Sequence, residues 1–208
     1  MTLPNKLTVS RFVLTAALLW AMFSRSPFND TLALGFFCVA GLTDYLDGRL
    51  ARRRGLITNF GILMDPLADK ILICSAFIAL VERHMLVAPP VLFHLGAQPV
   101  GPRVQAWMVA LVVARELTIT GLRLLAASRN VVLAAEHYGK HKTFSQMVAI
   151  IALLVMDASQ EWSGLWRELV SGWVPWVAFA ALWLAVALTV LSGGIYLWRN
   201  RDLYLRDL

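Results

Sequence analysis

The chain has 208 residues, of which 59% are apolar and only 15% are charged. This is too little polar surface for a soluble globular protein of this length. The composition therefore excludes a soluble protein and indicates an integral membrane protein. The length suits a single domain over residues 1–208. The net charge of +6 predicts contact with anionic membrane lipids. No nucleic acid is expected, because no recognised nucleic-acid-binding fold accompanies the charge.

Apolar stretches along the chain predict about six membrane-spanning helices. In chain order they are centred at residues 12–23, 31–48, 62–81, 106–126, 144–156 and 174–198. The first and fifth are shorter than the roughly 20 residues that a span needs. We therefore expect both to extend into the preceding amphipathic turns, NKLTVSR and GKHKTFSQ. The predicted fold class is an all-α integral membrane protein with six transmembrane helices.

Most lysines and arginines fall on one side of this arrangement, around both termini and in the turns after the second and fourth stretches. The positive-inside rule places that side, and therefore both termini, in the cytoplasm. The connections on the other side carry no chemistry that we can identify. Residues 87–102 form a Pro- and Gly-rich connection, and the Trp-rich segment EWSGLWRELVSGWVPW predicts an interfacial helix.

Four aspartates stand out at the end of the second stretch and the start of the third. Asp44 and Asp47 are three residues apart and Asp65 and Asp69 are four apart, so each pair shares one helix face. A short cytoplasmic turn near Gly55 brings the pairs together. Converging carboxylates repel unless cations neutralise them, and oxygen ligands without Cys or His favour Mg²⁺ or Mn²⁺. The alternative is a structural ion-pair network with neighbouring arginines and Lys70.

Small residues lie on the same helix faces as these aspartates. Gly48, Ala51 and Gly61 allow two helices to approach closely or leave room for a ligand beside the backbone. Arg52 can make a bidentate contact to a phosphate. The segment therefore predicts a site that combines metal ions with a phosphate-bearing ligand.

The spacing of these residues resembles the signature of the CDP-alcohol phosphotransferase family. That signature is matched without departure by Asp44, Asp47, Gly48, Ala51, Arg52, Gly61, Asp65 and Asp69. The resemblance implies transfer from a CDP-linked lipid such as CDP-diacylglycerol. It implies two divalent ions held by the first three aspartates, with Asp69 as the general base, and a homodimer. The predicted metal-site set is the four aspartates; the predicted CDP-binding set is Asp44, Gly48, Ala51, Arg52 and Gly61.

A second group of charges predicts where the acceptor binds. Candidate phosphate-binding residues near the cytoplasmic ends of the fourth and fifth helices are Arg115, Arg123, Lys140 and Lys142. Arg115 is the most informative, because an arginine inside an apolar span is costly without an anion or Glu116 beside it. The alternative is ordinary positive-inside charge in a connection.

The segments around these cations are similar to those of bacterial family members that use sn-glycerol 3-phosphate. The shared arrangement is RE, then GLR, then GK.KT..Q, where a dot stands for any residue. The N-terminal PNKLTVSR is similar to the N-terminus of the same proteins. The similarity implies sn-glycerol 3-phosphate as acceptor and a bacterial cytoplasmic (inner) membrane as location. It also implies that Asn5, Thr8 and Arg11 lie beside the site.

The sequence is compatible with several alternatives. Another acceptor, such as inositol phosphate, serine or phosphatidylglycerol, would suit the same aspartate motif, and a divalent-cation transporter would use the aspartates differently. His137 and His141 are four residues apart but have no acidic ligands nearby, so zinc binding is disfavoured. We interpret Thr118, Thr120 and Ser145 as helix-packing residues, and Lys70 either tunes Asp69 or extends toward the interface.

Overall fold

A computed structural model describes residues 3–24, 28–54, 59–95, 98–128 and 138–201, with side chains described for residues 8–24, 28–43, 64, 66–95, 99–128 and 142–201. These ranges form helices and one two-stranded hairpin. In chain order the elements are α1 (Leu3–Phe23), α2 (Asn29–Arg54), α3 (Asn59–Leu86), β1 (Phe93–Leu95), β2 (Gln98–Val100), α4 (Ala106–Ser128), α5 (Tyr138–Ala158), α6 (Leu165–Ser171) and α7 (Val174–Arg199).

The long helices follow the six predicted apolar stretches. The predicted extension of the two short stretches is confirmed, because α1 begins at Leu3 and α5 begins at Tyr138. The short helix α6 lies in the segment that predicted an interfacial helix, and none of its residues is buried. The prediction of a helical protein is therefore confirmed.

A small hairpin adds to this helical fold in the Pro- and Gly-rich connection. β1 and β2 pair antiparallel, with Phe93 opposite Val100. The Phe93 ring stacks on Trp176 at a centroid distance of 6.2 Å and meets Phe179 edge-on at 6.0 Å. These contacts tie the hairpin to α7. The strand pairing itself is local, over residues 93–100, but the Pro and Gly content of this segment favoured an irregular connection, so the strands were not predicted.

Among the described residues, α7 is the one helix that is long and apolar enough to cross a membrane. Two shorter segments, Thr8–Phe23 and Asn29–Thr43, are apolar as well. Charged residues interrupt other helices, as Arg115, Glu116 and Arg123 do in α4. The arrangement of six membrane-spanning helices stays a prediction.

The core lies between the long helices. Helix α1 packs against α2 and α3, α5 packs against α7 and α2, and α4 packs against α7 and α3. Large side chains in the core alternate with alanines, which let the helices approach closely. The contact between α2 and α5 is especially tight, since a Cβ atom on Gly41 would lie 2.8 Å from Met147 Cε.

The helices run alternately up and down, which gives the bundle two chemically different ends. We call the end with the N-termini of α1, α3 and α5 the aspartate end, because the four aspartates lie toward it. The opposite end, which carries β1 and β2, is the hairpin end.

At the hairpin end, ionic contacts join α2, α3 and α5. Arg83 pairs with Asp30, and His84 Nε2 lies 3.4 Å from Asp157 Oδ2. Glu161 accepts hydrogen bonds from the Asp30 backbone N–H at 2.9 Å and from the Thr31 N–H and Oγ1 at 3.0 and 2.8 Å. Glu161 thereby caps the N-terminus of α2.

Candidate active site

Helices α2 and α3 carry the four aspartates to a similar depth. The two helices are separated by residues 55–58, so the end of α2 and the start of α3 lie at the same end of the bundle. Asp44 and Asp69 each lie about ten residues from these helix ends, and Asp47 and Asp65 about six or seven. At 1.5 Å per residue, both pairs lie roughly 10 to 15 Å along their helices. Similar depth is required for the carboxylates to converge, but the convergence itself stays a prediction, because the side chains of Asp44, Asp47 and Asp65 lie outside the described residues.

Most side chains of the aspartate motif lie outside the described part of the structure. They are Asp44, Asp47, Gly48, Ala51, Arg52, Gly61 and Asp65. Within the described side chains no group of three potential metal ligands occurs, since Asp69 is the one aspartate of the four among them. The metal and CDP assignments of these residues therefore stay predictions.

Asp69 is held from α1 by a buried arginine. Arg11 Nη1 donates to Asp69 Oδ1 at 2.7 Å, and the Arg11 side chain is 0% exposed while that of Asp69 is 38% exposed. The Thr15 hydroxyl donates to the Arg11 carbonyl at 2.8 Å, and Thr8 is also buried on the same helix. Arg11 therefore lies beside the candidate base, as the resemblance implied. The side chain of Asn5 lies outside the described residues.

A small cavity adjoins Asp69 between α2, α3 and α5. Its volume is about 20 Å³, and its lining residues are Gly41, Asp69, Leu72, Ile73, Thr143 and Met147. This is room for a single water molecule. Asp69 is therefore accessible to a small polar group at a point where three helices meet.

Two of the predicted acceptor-binding cations converge on one carboxylate. Arg115 Nη1 donates to Glu116 Oε1 at 3.0 Å, and the Lys142 ammonium contacts the same oxygen. Lys142 is only 3% exposed. Glu116 thus lies beside Arg115, as one of the two partners expected for it from the sequence. The contact joins α4 to α5.

Lys70 joins these cations from α3. Its ammonium donates to Thr120 Oγ1 at 2.7 Å, and the Thr120 hydroxyl donates to the Glu116 carbonyl at 2.7 Å. Arg115 and Arg123 are close enough to Lys70 to interact with it electrostatically. The sequence predicted neither this hydrogen bond from Lys70 to Thr120 nor a polar role for Thr120, which we interpreted as a packing residue. Ser145 does make a local bond, to the Lys142 carbonyl at 2.8 Å.

Arg123 lies further along the same face of α4. Its Cζ atom is 5.9 Å from the centroid of the Tyr196 ring on α7. The side chains of Lys140, His137 and His141 lie outside the described residues. Three of the four predicted acceptor-binding residues are thus described, and they lie in one region of the aspartate end.

We call Lys70, Arg115, Arg123 and Lys142 the cation cluster. Glu116 is the one carboxylate in hydrogen-bond contact with it among the described residues, and Asp69 interacts electrostatically with Lys70, so the four cations still outnumber the carboxylates. Two buried donors nearby, Arg115 Nε and Tyr196 Oη, have no hydrogen-bond partner in the described part of the chain. An anionic ligand would satisfy both features.

Sequence comparisons identify the family. A model described as CDP-alcohol phosphatidyltransferase matches residues 1–191. The chain belongs to this family. The identification made from the aspartate motif is therefore confirmed, and the family membership covers the helices that carry both the aspartates and the cation cluster.

Individual relatives are similar over most of the chain. A CDP-diacylglycerol--glycerol-3-phosphate 3-phosphatidyltransferase of Bacillus subtilis (strain 168) is 38% identical, over 95% of this chain and 94% of the relative. A protein of the same name from Rickettsia bellii (strain RML369-C) is 30% identical, over 93% and 92%. A cardiolipin synthase (CMP-forming) of Oryza sativa subsp. japonica is 31% identical, over 74% of this chain and 46% of the relative.

Proposed function

We propose that this protein transfers a phosphatidyl group from CDP-diacylglycerol to sn-glycerol 3-phosphate and releases CMP. The family and the names of the full-length relatives support the reaction type. The observation that carries the choice of acceptor is the cation cluster, whose positive charge exceeds that of its one contacting carboxylate. An acceptor that bears a phosphate supplies the missing negative charge.

The aspartates suit the donor half of this reaction. Asp44, Asp47 and Asp65 would hold two divalent cations, Mg²⁺ or Mn²⁺, with Asp69 beside them, because an all-carboxylate donor set matches hard cations. When bound, these ions neutralise the pyrophosphate of the donor. Gly48, Ala51 and Gly61 leave space for the cytidine diphosphate group, and Arg52 contacts one of its phosphates.

Asp69 acts as the general base in this proposal. The acceptor hydroxyl attacks the phosphorus of the phosphatidyl group, the bond from that phosphorus to CMP breaks, and the hydroxyl proton passes to Asp69. Arg11, buried 2.7 Å from Asp69 Oδ1, fixes the direction in which the carboxylate points. The small cavity beside Asp69 leaves that carboxylate within reach of a hydroxyl.

The membrane arrangement follows the charge distribution. We propose six transmembrane helices, α1 to α5 and α7, with both termini and the aspartate end at the cytoplasmic face of a bacterial inner membrane. The excess of lysine and arginine at that end supports this orientation. A homodimer, implied by the family resemblance, stays a prediction.

Two alternatives to this function are another acceptor and a transport activity. Phosphatidylglycerol as acceptor has support from the similarity to a plant cardiolipin synthase, although that match covers less of both chains. A divalent-cation transporter is disfavoured, because such proteins place ligands near the middle of the membrane in several helices. Here all four aspartates belong to two consecutive helices, α2 and α3, and lie toward one end of them.

The test is CMP release by the purified protein, supplied with CDP-diacylglycerol, Mg²⁺ and one acceptor at a time. We expect release with glycerol 3-phosphate and little with glycerol, its matched control without the phosphate. Serine, inositol phosphate and phosphatidylglycerol complete the panel. Equal release with phosphatidylglycerol would reassign the acceptor, and cation flux in vesicles without CMP release would favour the transporter.

A further inference from the structure

Tyr196 on α7 lies between the two arginines of the cation cluster that belong to α4. Its ring packs with Ile119 and Leu122, which lie on the α4 face between Arg115 and Arg123. The Arg123 guanidinium lies 5.9 Å from the ring centroid, and Arg115 is close enough to interact electrostatically with the phenol. The residue is 4% exposed. Its ring position is therefore defined by packing from α4.

The Tyr196 hydroxyl is not satisfied by this packing. The atom is buried and has no hydrogen-bond partner among the described residues. A phenol can accept a hydrogen bond from an arginine, but its own proton requires an acceptor, and guanidinium groups offer donors alone. Leaving a buried polar group unpaired is unfavourable, so the hydroxyl needs an acceptor from outside the described protein.

A second unpaired donor lies nearby. Arg115 uses Nη1 for Glu116, and its Nη2 lies 3.4 Å from Ser192 Oγ, but its buried Nε has no partner in the described structure. Gly193 allows the arginine to lie against α7, because a Cβ there would be 3.0 Å from Arg115 Cγ. One turn of α7 thus brings the aliphatic part of Arg115 close to the position of Tyr196.

We propose that Tyr196 is a further specificity-determining residue, whose hydroxyl donates a hydrogen bond to the phosphate group of the acceptor. The inference rests on the proposed function and extends the acceptor site from α4 and α5 to α7. A phosphate held by Arg115 and Arg123 has free oxygens that can accept the phenol proton. The hydroxyl then favours phosphorylated acceptors over neutral ones, because a neutral acceptor leaves the buried donor unpaired.

The test is Tyr196→Phe, which removes the hydroxyl and keeps the ring against Ile119 and Leu122. We expect the KM for glycerol 3-phosphate to rise roughly tenfold, the usual effect of losing a hydrogen bond to a charged group. The inhibition constant of inorganic phosphate, measured as a competitor of glycerol 3-phosphate, should rise by the same factor. The KM for CDP-diacylglycerol should stay unchanged.

Folding is measured alongside these constants. Removing a hydroxyl without a protein partner should leave the thermal unfolding midpoint of the ligand-free protein unchanged or higher. Ser171→Ala is a control hydroxyl deletion at an exposed position on α6, at the other end of the molecule, and all of its constants should equal those of the wild type.

The outcomes separate this inference from the proposed function. Unchanged KM and phosphate inhibition in a folded, active Tyr196→Phe protein would overturn the role of Tyr196 and leave glycerol 3-phosphate as the acceptor. A lower unfolding midpoint together with equal changes in both KM values would show a structural hydroxyl and also overturn it. Failure of the wild type to use glycerol 3-phosphate would instead overturn the proposed function.

Discussion

The two ends of the helix bundle both carry buried charges, but they balance them differently. At the hairpin end, Arg83 and His84 face the carboxylates of Asp30 and Asp157, and Glu161 is satisfied by backbone and hydroxyl donors. At the aspartate end, the cation cluster contacts one carboxylate among the described residues. Among these residues the two ends therefore carry opposite excesses: carboxylates outnumber arginines at the hairpin end, where each has a hydrogen-bond or ion-pair contact, whereas cations outnumber the contacting carboxylate at the aspartate end. An excess of positive charge suits a phosphate-bearing substrate, and an excess of negative charge does not.

Removal of divalent cations gives the largest expected effect on the aspartate end. Asp69 has Arg11 as a partner, but the proposed metal ligands Asp44, Asp47 and Asp65 would repel one another without cations, so an excess of chelator should abolish CMP release. Asp44→Asn, Asp47→Asn and Asp65→Asn should each raise the Mg²⁺ concentration that gives half-maximal activity. Full CMP release in chelator would contradict the metal site.

Asp69→Asn should have the next largest effect. Loss of the proton acceptor should lower kcat by about 10² to 10⁴, the usual contribution of a general base. Nucleotide binding, measured with a labelled CDP-diacylglycerol analogue, should persist because the other aspartates remain. Turnover close to that of the wild type would remove Asp69 from this role.

Arg115→Gln should change acceptor binding more than donor binding. Each charge-assisted contact contributes about 1.5 to 3 kcal/mol, so the KM for glycerol 3-phosphate should rise by roughly ten- to a hundredfold. Because Glu116 would keep Lys142 as a partner, the helices should remain packed. An unchanged KM for glycerol 3-phosphate would mean that Arg115 does not bind the acceptor and acts only as a positive charge that orients the protein in the membrane.

The matched variant at the hairpin end is Arg83→Gln. It leaves the largely buried Asp30 carboxylate without its arginine, so we expect a loss of about 1 to 3 kcal/mol in stability. Both KM values should stay within twofold of the wild type, roughly the variation of a distant site. A selective rise in the KM for glycerol 3-phosphate would break the distinction between the two ends.

The helices and most of the charged site residues could be predicted from the sequence, for identifiable physical reasons. Charged residues are rare in apolar helices, so Asp69, Arg115 and Lys142 stood out, and their spacing carried the family resemblance. Tyr196 did not stand out, because an aromatic residue in an apolar helix is ordinary and its neighbours lie far away on α4. The contact from Lys70 to Thr120 likewise depends on how α3 packs against α4.

The most direct test of the central claim is a competition between acceptors in one reaction. Purified protein receives CDP-diacylglycerol labelled in its phosphatidyl group, Mg²⁺, and equal concentrations of glycerol 3-phosphate, glycerol, serine, inositol phosphate and phosphatidylglycerol. The account predicts that the label appears in phosphatidylglycerophosphate, with one CMP released per labelled product. Label distributed equally among the acceptors, or recovered mainly in the product of any acceptor other than glycerol 3-phosphate, would contradict it.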